Sequence, residues 1–144
     1  MKGLDGKKTM DTPKGCKVLV IDNEPVLGEL LQFILRHRGD QVRTSLDEHQ
    51  GLVLAEQEPP DLILLDSEFL DDEVYQQFKR LPALQNVPIL FLDAKAPYMV
   101  YRQAQRLGAA GYLCKPFEIA DLLAARDAVL RGETYYPPLP EKTC

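Results

Sequence analysis

The sequence has few cysteines, no long apolar run and no excess of positive charge, and each lack excludes a class of protein. Among 144 residues the cysteines are Cys16, Cys114 and Cys144. This odd, widely spaced set predicts reduced thiols rather than a disulfide framework or a zinc site. No apolar run approaches the ~20 residues that a membrane span needs, and residues 1–14 lack the apolar core of a signal peptide. We therefore expect a cytoplasmic protein that does not enter a membrane.

Charge and histidine content narrow the possibilities further. The net charge is -5, which disfavours a nucleic-acid-binding surface on this chain alone. His37 and His49 lie in polar, helix-like surroundings without metal-ligand spacing, and we predict that both are surface residues. The apolar fraction of 45% and the charged fraction of 27% are ordinary for a globular protein, and the length suits one domain.

Short apolar runs that end in a charged residue are the dominant pattern. They predict buried strands, because they are too short for helices and are bounded by turn residues. These strands are 17–22, 61–66, 87–93 and 112–115, with a weaker strand at 41–45. Helical spacing of apolar residues follows these strands, although it is poor after the weaker strand at 41–45. The predicted helices run from Pro25 to Gly39 and over 52–58, 71–81, 98–107 and 118–131.

The order is a strand followed by a helix, repeated five times. It predicts an α/β fold, a doubly wound five-stranded parallel sheet with helices on both faces. The predicted domain covers 16–132. Residues 1–15 are expected to form a flexible tail, and the proline-rich segment 133–144 an extended tail or linker remnant.

Four charged residues stand at the predicted strand ends: Asp22, Asp66, Asp93 and Lys115. Parallel strands share one carboxyl edge, where open α/β sheets bind ligands, so these side chains should meet. Two carboxylates repel by ~4 kcal/mol at about 4 Å and an effective dielectric near 20, which a proton or a cation relieves. Mg²⁺ suits oxygen ligands. An aspartate beside a metal and a lysine can attack a phosphoryl group.

Four blocks in this order resemble the receiver domain of bacterial two-component response regulators. They are 18–25 (VLVIDNEP), 60–66 (PDLILLD), 87–94 (VPILFLDA) and 108–117 (GAAGYLCKPF), and the resemblance covers 17–131. It implies a flavodoxin-like fold with strand order 2-1-3-4-5. It also implies that Asp66 accepts a phosphoryl group from a sensor histidine kinase or a phosphotransfer protein. Asp66 and Lys115 would be the catalytic residues, with a cis peptide between Lys115 and Pro116.

The resemblance implies further roles. The Mg²⁺ ligands would be Asp22, Asn23, Asp66 and Glu68. Asp93 and Tyr112 fall on the switch positions, and 96–131 on the family's usual partner face. The expected partners are an effector protein or a missing output domain, and this face could also form a homodimer.

Three departures from the receiver pattern bear on these roles. Asn23 replaces the second of two acids, which predicts weak Mg²⁺ binding. Asp93 replaces the usual Thr or Ser, whose hydroxyl binds the phosphoryl oxygen. The segment after Asp66 lacks the usual proline. Two readings of Asp93 stay open: it pairs with Lys115 and locks an unphosphorylated state, or it shares the cation with Asp66.

Other functions compete with phosphoryl acceptance. A degenerate receiver would be an interaction module that does not use phosphorylation. A small Mg²⁺-dependent phosphatase usually has a second Asp two residues after its nucleophile, and here that residue is Glu68. A flavin-binding protein would need a phosphate-cradling loop after the first strand, where Asp22 and Glu24 would repel phosphate. We expect a signalling domain rather than an enzyme.

Overall fold

The computed structural model describes residues 12–69, 71–93 and 97–138. Within them, a parallel sheet has the strand order β2-β1-β3-β4-β5. The strands are β1 (Lys17–Ile21), β2 (Gln41–Ser45), β3 (Leu62–Asp66), β4 (Ile89–Asp93) and β5 (Gly111–Cys114). The predicted doubly wound fold and its strand order are confirmed.

Helices follow the strands, the first and fifth on one face of the sheet and the second, third and fourth on the other. They are α1 (Pro25–Leu35), α2 (Glu48–Gln57), α3 (Asp72–Arg80), α4 (Pro97–Leu107) and α5 (Ile119–Leu130). Three of them stop at a glycine, and Gly39 (after a 3₁₀ turn at Arg36–Arg38) and Gly108 have φ values of 77° and 80°. Glycine favours this left-handed conformation, which L-residues with a Cβ rarely adopt.

Helix α2 begins earlier than the sequence pattern suggests. The predicted start was residue 52, but the helix begins at Glu48 because the Asp47 carboxylate accepts a 2.8 Å hydrogen bond from the Gln50 backbone N–H. That bond satisfies a free donor of the first turn. The apolar spacing of this helix is poor, so only the capping residue marks its beginning.

The sheet is buried on both faces, as the continuous apolar runs predict. Alternate strand residues form two cores. The core with α2, α3 and α4 contains Leu19, Ile21, Ile63, Leu65, Phe91 and Tyr112. The core with α1 and α5 contains Val18, Val20, Leu62, Leu64, Leu90 and Leu113. Both cores fix the strand ends, and with them the charged edge.

The chain on either side of the predicted domain is partly described. Of the predicted tail 1–15, residues 1–11 lie outside the described residues, as do 139–144 of the segment 133–144. The Gly15 N–H donates to the Arg38 carbonyl at 2.9 Å, and the Arg126 guanidinium donates to the Pro13 carbonyl.

Among the described helices, none has the length and apolar character that crossing a membrane requires.

Candidate functional site

The carboxyl edge of the sheet brings the four predicted charged residues to adjacent strand ends. Asp66 and Asp93 are the last residues of β3 and β4, and Asp22 and Lys115 directly follow β1 and β5. The exposed fraction of the aspartates is only 2% for Asp22, 6% for Asp66 and 2% for Asp93. Buried carboxylates are costly without partners, so the contacts of this edge determine what it can do.

Lys115 supplies the cation of the site. Its Nζ lies 2.7 Å from Asp22 Oδ2, 3.2 Å from Glu24 Oε1 and 3.5 Å from Asp66 Oδ2. Burial alone would lower the pKa of Lys115, but the hydrogen bond to Asp22 and the attraction of Asp66 outweigh it and raise that pKa. Lys115 is therefore an ammonium at neutral pH. The peptide between Lys115 and Pro116 is cis, as the resemblance implies.

Asp66 is a buried carboxylate whose pKa is raised. Burial raises its pKa, while the Glu68 backbone N–H, which donates to Oδ1 at 3.2 Å, opposes that rise. The negative charge of Asp22 raises the pKa further. A carboxylate with a raised pKa is more basic than usual and has lost part of its hydration. Both changes favour attack on an electrophile such as phosphorus.

Asn23 and Glu68 form a hydrogen-bonded pair at the same edge. The Asn23 side-chain amide donates to Glu68 Oε1 at 2.6 Å and so joins the loops that follow β1 and β3. The loop after β1 also fixes the Asp22 carboxylate, because Asp22 Oδ1 accepts a 2.9 Å hydrogen bond from the Glu24 backbone N–H.

Asp93 takes its hydrogen bond from a residue that the sequence did not single out. The Ser67 hydroxyl donates to Asp93 Oδ1 at 2.7 Å, and the Lys115 backbone N–H donates to the Asp93 carbonyl at 2.6 Å. The side chain of Lys115 forms its ion pairs with the acids of β1 and β3 described above. The side-chain ion pair of Asp93 with Lys115, one of the two readings left open, is therefore absent from the described residues, and Ser67 is one of the groups that contact the Asp93 carboxylate.

Sequence reasoning missed two contributors to the site, Ser67 and Glu24. Ser67 directly follows Asp66, and a hydroxyl at that position was the sequence signal that could have indicated a hydrogen-bond donor in the site. Glu24 was interpreted only as an acid that would repel phosphate, although it stands two residues after Asp22 and contacts Lys115. Tyr112 belongs to the neighbouring core rather than to the charged cluster. It is fully buried and pairs in register with Phe91.

The predicted Mg²⁺ ligands suit a hard cation by their chemistry, because all four carry oxygen donors. Their positions are less suitable. Within the described ranges, no group of three or more His, Cys, Asp or Glu side chains is placed to hold a metal ion. Asp22 is engaged by Lys115, and the amide of Asn23 is engaged by Glu68. A cation would therefore have to displace existing contacts.

A buried aspartate beside an ammonium at the carboxyl edge of a parallel α/β sheet is the arrangement that the resemblance to receiver domains implies. Comparison with known families agrees. The family model for the response regulator receiver domain matches residues 18–127. The chain belongs to this family of two-component signalling domains.

Individual relatives support this membership. The chain is 33% identical over 124 residues to the DNA-binding dual master transcriptional regulator RpaA of Synechocystis, covering 84% of this chain and 52% of RpaA. It is 37% identical over 128 residues to the regulatory protein PhoP of Bacillus subtilis, covering 87% of this chain and 52% of PhoP. The chain thus spans about half the length of these curated relatives.

A solved structure shows the same fold. The chemotaxis protein CheY4 of Vibrio cholerae superimposes with a TM-score of 0.67 at 25% identity, covering 76% of this chain and 94% of that chain.

Proposed function

We propose that this receiver accepts a phosphoryl group on Asp66 from a histidine kinase or a phosphotransfer protein, and that acceptance switches a protein-interaction face. The observation that carries the proposal is the geometry around Asp66. Its buried carboxylate has a raised pKa and lies 3.5 Å from the Lys115 ammonium. This proximity supports Asp66 as the nucleophile and Lys115 as its counter-charge.

The transfer is a displacement at phosphorus. An oxygen of Asp66 attacks the phosphorus of a phosphohistidine, the O–P bond forms and the N–P bond breaks. The imidazole nitrogen keeps the bonding pair and takes a proton from solvent. Lys115 neutralises charge on the transferring oxygens, which is the main task in phosphoryl transfer. Mg²⁺ bound weakly by Asp22, Asn23, Asp66 and Glu68 would add positive charge at the same oxygens.

The switch begins at Asp93 and Ser67. A phosphoryl group on Asp66 brings a charge of about -1.5 to -2, which repels Asp93 and competes for the Ser67 hydroxyl. The Ser67–Asp93 hydrogen bond then breaks, and the end of β4 shifts. Because Tyr112 pairs with Phe91 on β4, the shift reaches the face formed by α4, β5 and α5, where an effector protein or an output domain binds.

An exposed apolar strip beside the site favours a protein as phosphoryl donor. Val26, Leu30 and Phe33 are 76%, 47% and 60% exposed and are spaced to lie on one face of α1. Ile119, at the start of α5, is 57% exposed. Both helices begin just after site loops, and exposed apolar patches mark protein-binding surfaces.

Beryllofluoride, a phosphoryl analogue, tests the proposal. We expect Mg²⁺ with beryllofluoride to shift the NMR signals around Asp66, and acetyl phosphate to add one phosphoryl group by intact mass. Asp66→Asn should abolish both effects. Asp47→Asn is the matched control, because Asn caps α2 as well as Asp does. If Asp66→Asn and Asp47→Asn respond alike, or if no shift occurs at millimolar Mg²⁺, Asp66 is not a phosphoacceptor.

A phosphorylation-independent interaction module is the second candidate. The observation in its favour is that Asn23 and Asp93, which replace the usual receiver residues, are both already hydrogen bonded, to Glu68 and Ser67. If Asp66→Asn leaves partner binding and output unchanged while substitution of an exposed residue of α5 abolishes them, this second function replaces the first.

A further inference from the structure

The segment 134–138, named the strap from this point on, lies along the outer edge of β5. The sheet ends at β5, so this edge would otherwise expose a row of backbone hydrogen-bonding groups. The Tyr135 N–H donates to the Ala110 carbonyl at 2.8 Å, and the Tyr112 N–H donates to the Tyr135 carbonyl at 3.1 Å. Tyr135 forms a parallel bridge with Gly111. The strap thus continues the sheet by one short stretch.

Side chains of the strap reach both faces of the sheet. Tyr135 packs against the core of α1 and α5, whereas Tyr136 packs against the opposite core. This alternation is that of a β-strand. A segment that pairs through its backbone and also inserts two aromatic side chains into two cores is specifically docked.

The strap also covers Tyr112. The Tyr112 hydroxyl donates to the Pro137 carbonyl at 3.2 Å, and its ring lies 6.2 Å from that of Tyr136 and 5.6 Å from that of Tyr101. The Tyr136 hydroxyl donates to the Ala109 carbonyl at 2.7 Å. Burial raises the pKa of Tyr136 to about 12. The full burial of Tyr112 therefore depends on the strap as well as on the body of the domain.

Strand β5, with which the strap pairs, leads directly to the cation of the site. Lys115 directly follows β5, and its backbone N–H is bonded to the Asp93 carbonyl of β4. A strap that pairs with β5 from outside therefore restrains the position of Lys115. We propose that the strap is an intramolecular latch that holds Tyr112 buried and β5 in place, so that docking of the strap is coupled to the phosphoacceptor edge. The coupling to the edge rests on the proposed function, whereas the latch does not.

Gly111 offers a substitution that displaces the strap without altering it. A Cβ at residue 111 would overlap the Tyr135 backbone, and a backbone cannot move aside as the end of a flexible side chain can. Gly111→Ala should therefore release the strap while every strap residue remains. Gly28→Ala is the matched control, because its new methyl group meets only the Thr44 side chain, at 3.2 Å.

Hydrogen exchange of the full chain, without any phosphoryl analogue, tests the latch. In Gly111→Ala the amides of Tyr112 and Tyr135 should exchange at least about tenfold faster than in Gly28→Ala, because local opening exposes them. Tyr136→Phe should give a smaller change of the same sign, with the exposed Tyr98→Phe as its control. Unchanged exchange in both Gly111→Ala and Tyr136→Phe would overturn the latch.

Beryllofluoride titration tests the coupling. A strap that keeps Lys115 beside Asp66 favours binding of a phosphoryl analogue at Asp66, and by linkage such binding stabilises the strap. Gly111→Ala should therefore weaken beryllofluoride binding by at least about threefold, and beryllofluoride should slow exchange at Tyr135 in the unsubstituted chain. Equal affinity in Gly111→Ala and Gly28→Ala would overturn the coupling. If even the unsubstituted chain fails to bind, the proposed function is wrong, and the exchange result still decides the latch.

Discussion

At the scale of single residues, Asp93 decides how the phosphoacceptor edge responds to charge. It is 2% exposed, and its carboxylate is held by the Ser67 hydroxyl rather than by an ion pair with Lys115. Lys115 forms its ion pairs with Asp22, Glu24 and Asp66. The edge therefore has two separate parts, an ammonium centred on Asp66 and a hydroxyl–carboxylate pair beside it. A new negative charge on Asp66 is attracted by the first part and repelled by the second.

Removing the charge of Asp93 should strengthen binding of the phosphoryl analogue. We expect Asp93→Asn to raise the affinity for beryllofluoride about fivefold, or ~1 kcal/mol, because one repulsive charge near Asp66 is lost. Titration followed by NMR at fixed Mg²⁺ measures the effect, with Asp47→Asn as control. Weaker binding together with a higher Mg²⁺ requirement would contradict this expectation. It would mean that Asp93 shares the cation with Asp66, the other reading that the sequence allows.

The positions of the site residues were predictable, whereas their pairing was not. Asp22, Asp66 and Lys115 meet because parallel strands end at one edge, which follows from the strand–helix pattern alone. The Ser67–Asp93 and Asn23–Glu68 pairs depend on side-chain directions in two different loops. Ser67 and Asp93 are 26 residues apart, and no local pattern links residues at that separation. The roles of Asp93, Tyr112 and the metal ligands stay predictions.

At the scale of elements, an ion-pair network ties α5 to the connection between α1 and β2. The Arg126 side chain, 0% exposed, lies 2.6 Å from Asp40 Oδ1 and 2.7 Å from Asp127 Oδ1. Arg38 binds Asp127 through two hydrogen bonds of 3.1 and 2.9 Å. The network lies away from the charged edge, around the start of β2. It holds α5 in place, and α5 is part of the face that the proposed switch uses.

Asp127 makes this attachment sensitive to acid. Burial would raise its pKa, but hydrogen bonds from Arg38 and Arg126 outweigh burial and lower it. A folded-state pKa below the unfolded value gives stability that is complete above the unfolded value and lost as pH falls through the folded one. Asp127→Asn should therefore cost about 2 kcal/mol of unfolding free energy at neutral pH, and the difference from the unsubstituted chain should shrink in acid.

Urea unfolding from neutral pH down to acid measures this difference. Glu73→Gln is the control, because the pair of Glu73 with Arg80 is exposed on both sides and such pairs contribute about 0–1 kcal/mol. A cost of Asp127→Asn that stays constant down to the lowest pH would show that the carboxylate charge is not what stabilises α5.

At the scale of the whole molecule, the sheet order and the helix faces were predictable because apolar periodicity repeats along the chain. The start of α2 was missed where apolar spacing is poor and the cap at Asp47 is the remaining signal. The strap was predicted only as an extended segment. Its prolines indicate a lack of helix, but its pairing with Gly111 arises from the folded edge of β5. Periodicity therefore predicts the body of the domain, and tertiary contact determines what lies on its edge.

Binding at Asp66 should stabilise the entire chain, because the ligand contacts side chains from separate strands of one sheet. At a free concentration of about 100 times Kd, a ligand that binds only the folded state adds ~2.7 kcal/mol. For a domain of this size the melting temperature should rise by several degrees. Differential scanning calorimetry with Mg²⁺ and beryllofluoride measures the shift. Asp66→Asn should show none of it, whereas Asp47→Asn should show all of it. An equal rise in Asp66→Asn would mean that the ions stabilise the fold elsewhere, and the carboxyl edge of the sheet would then lose its assignment as the phosphoryl site.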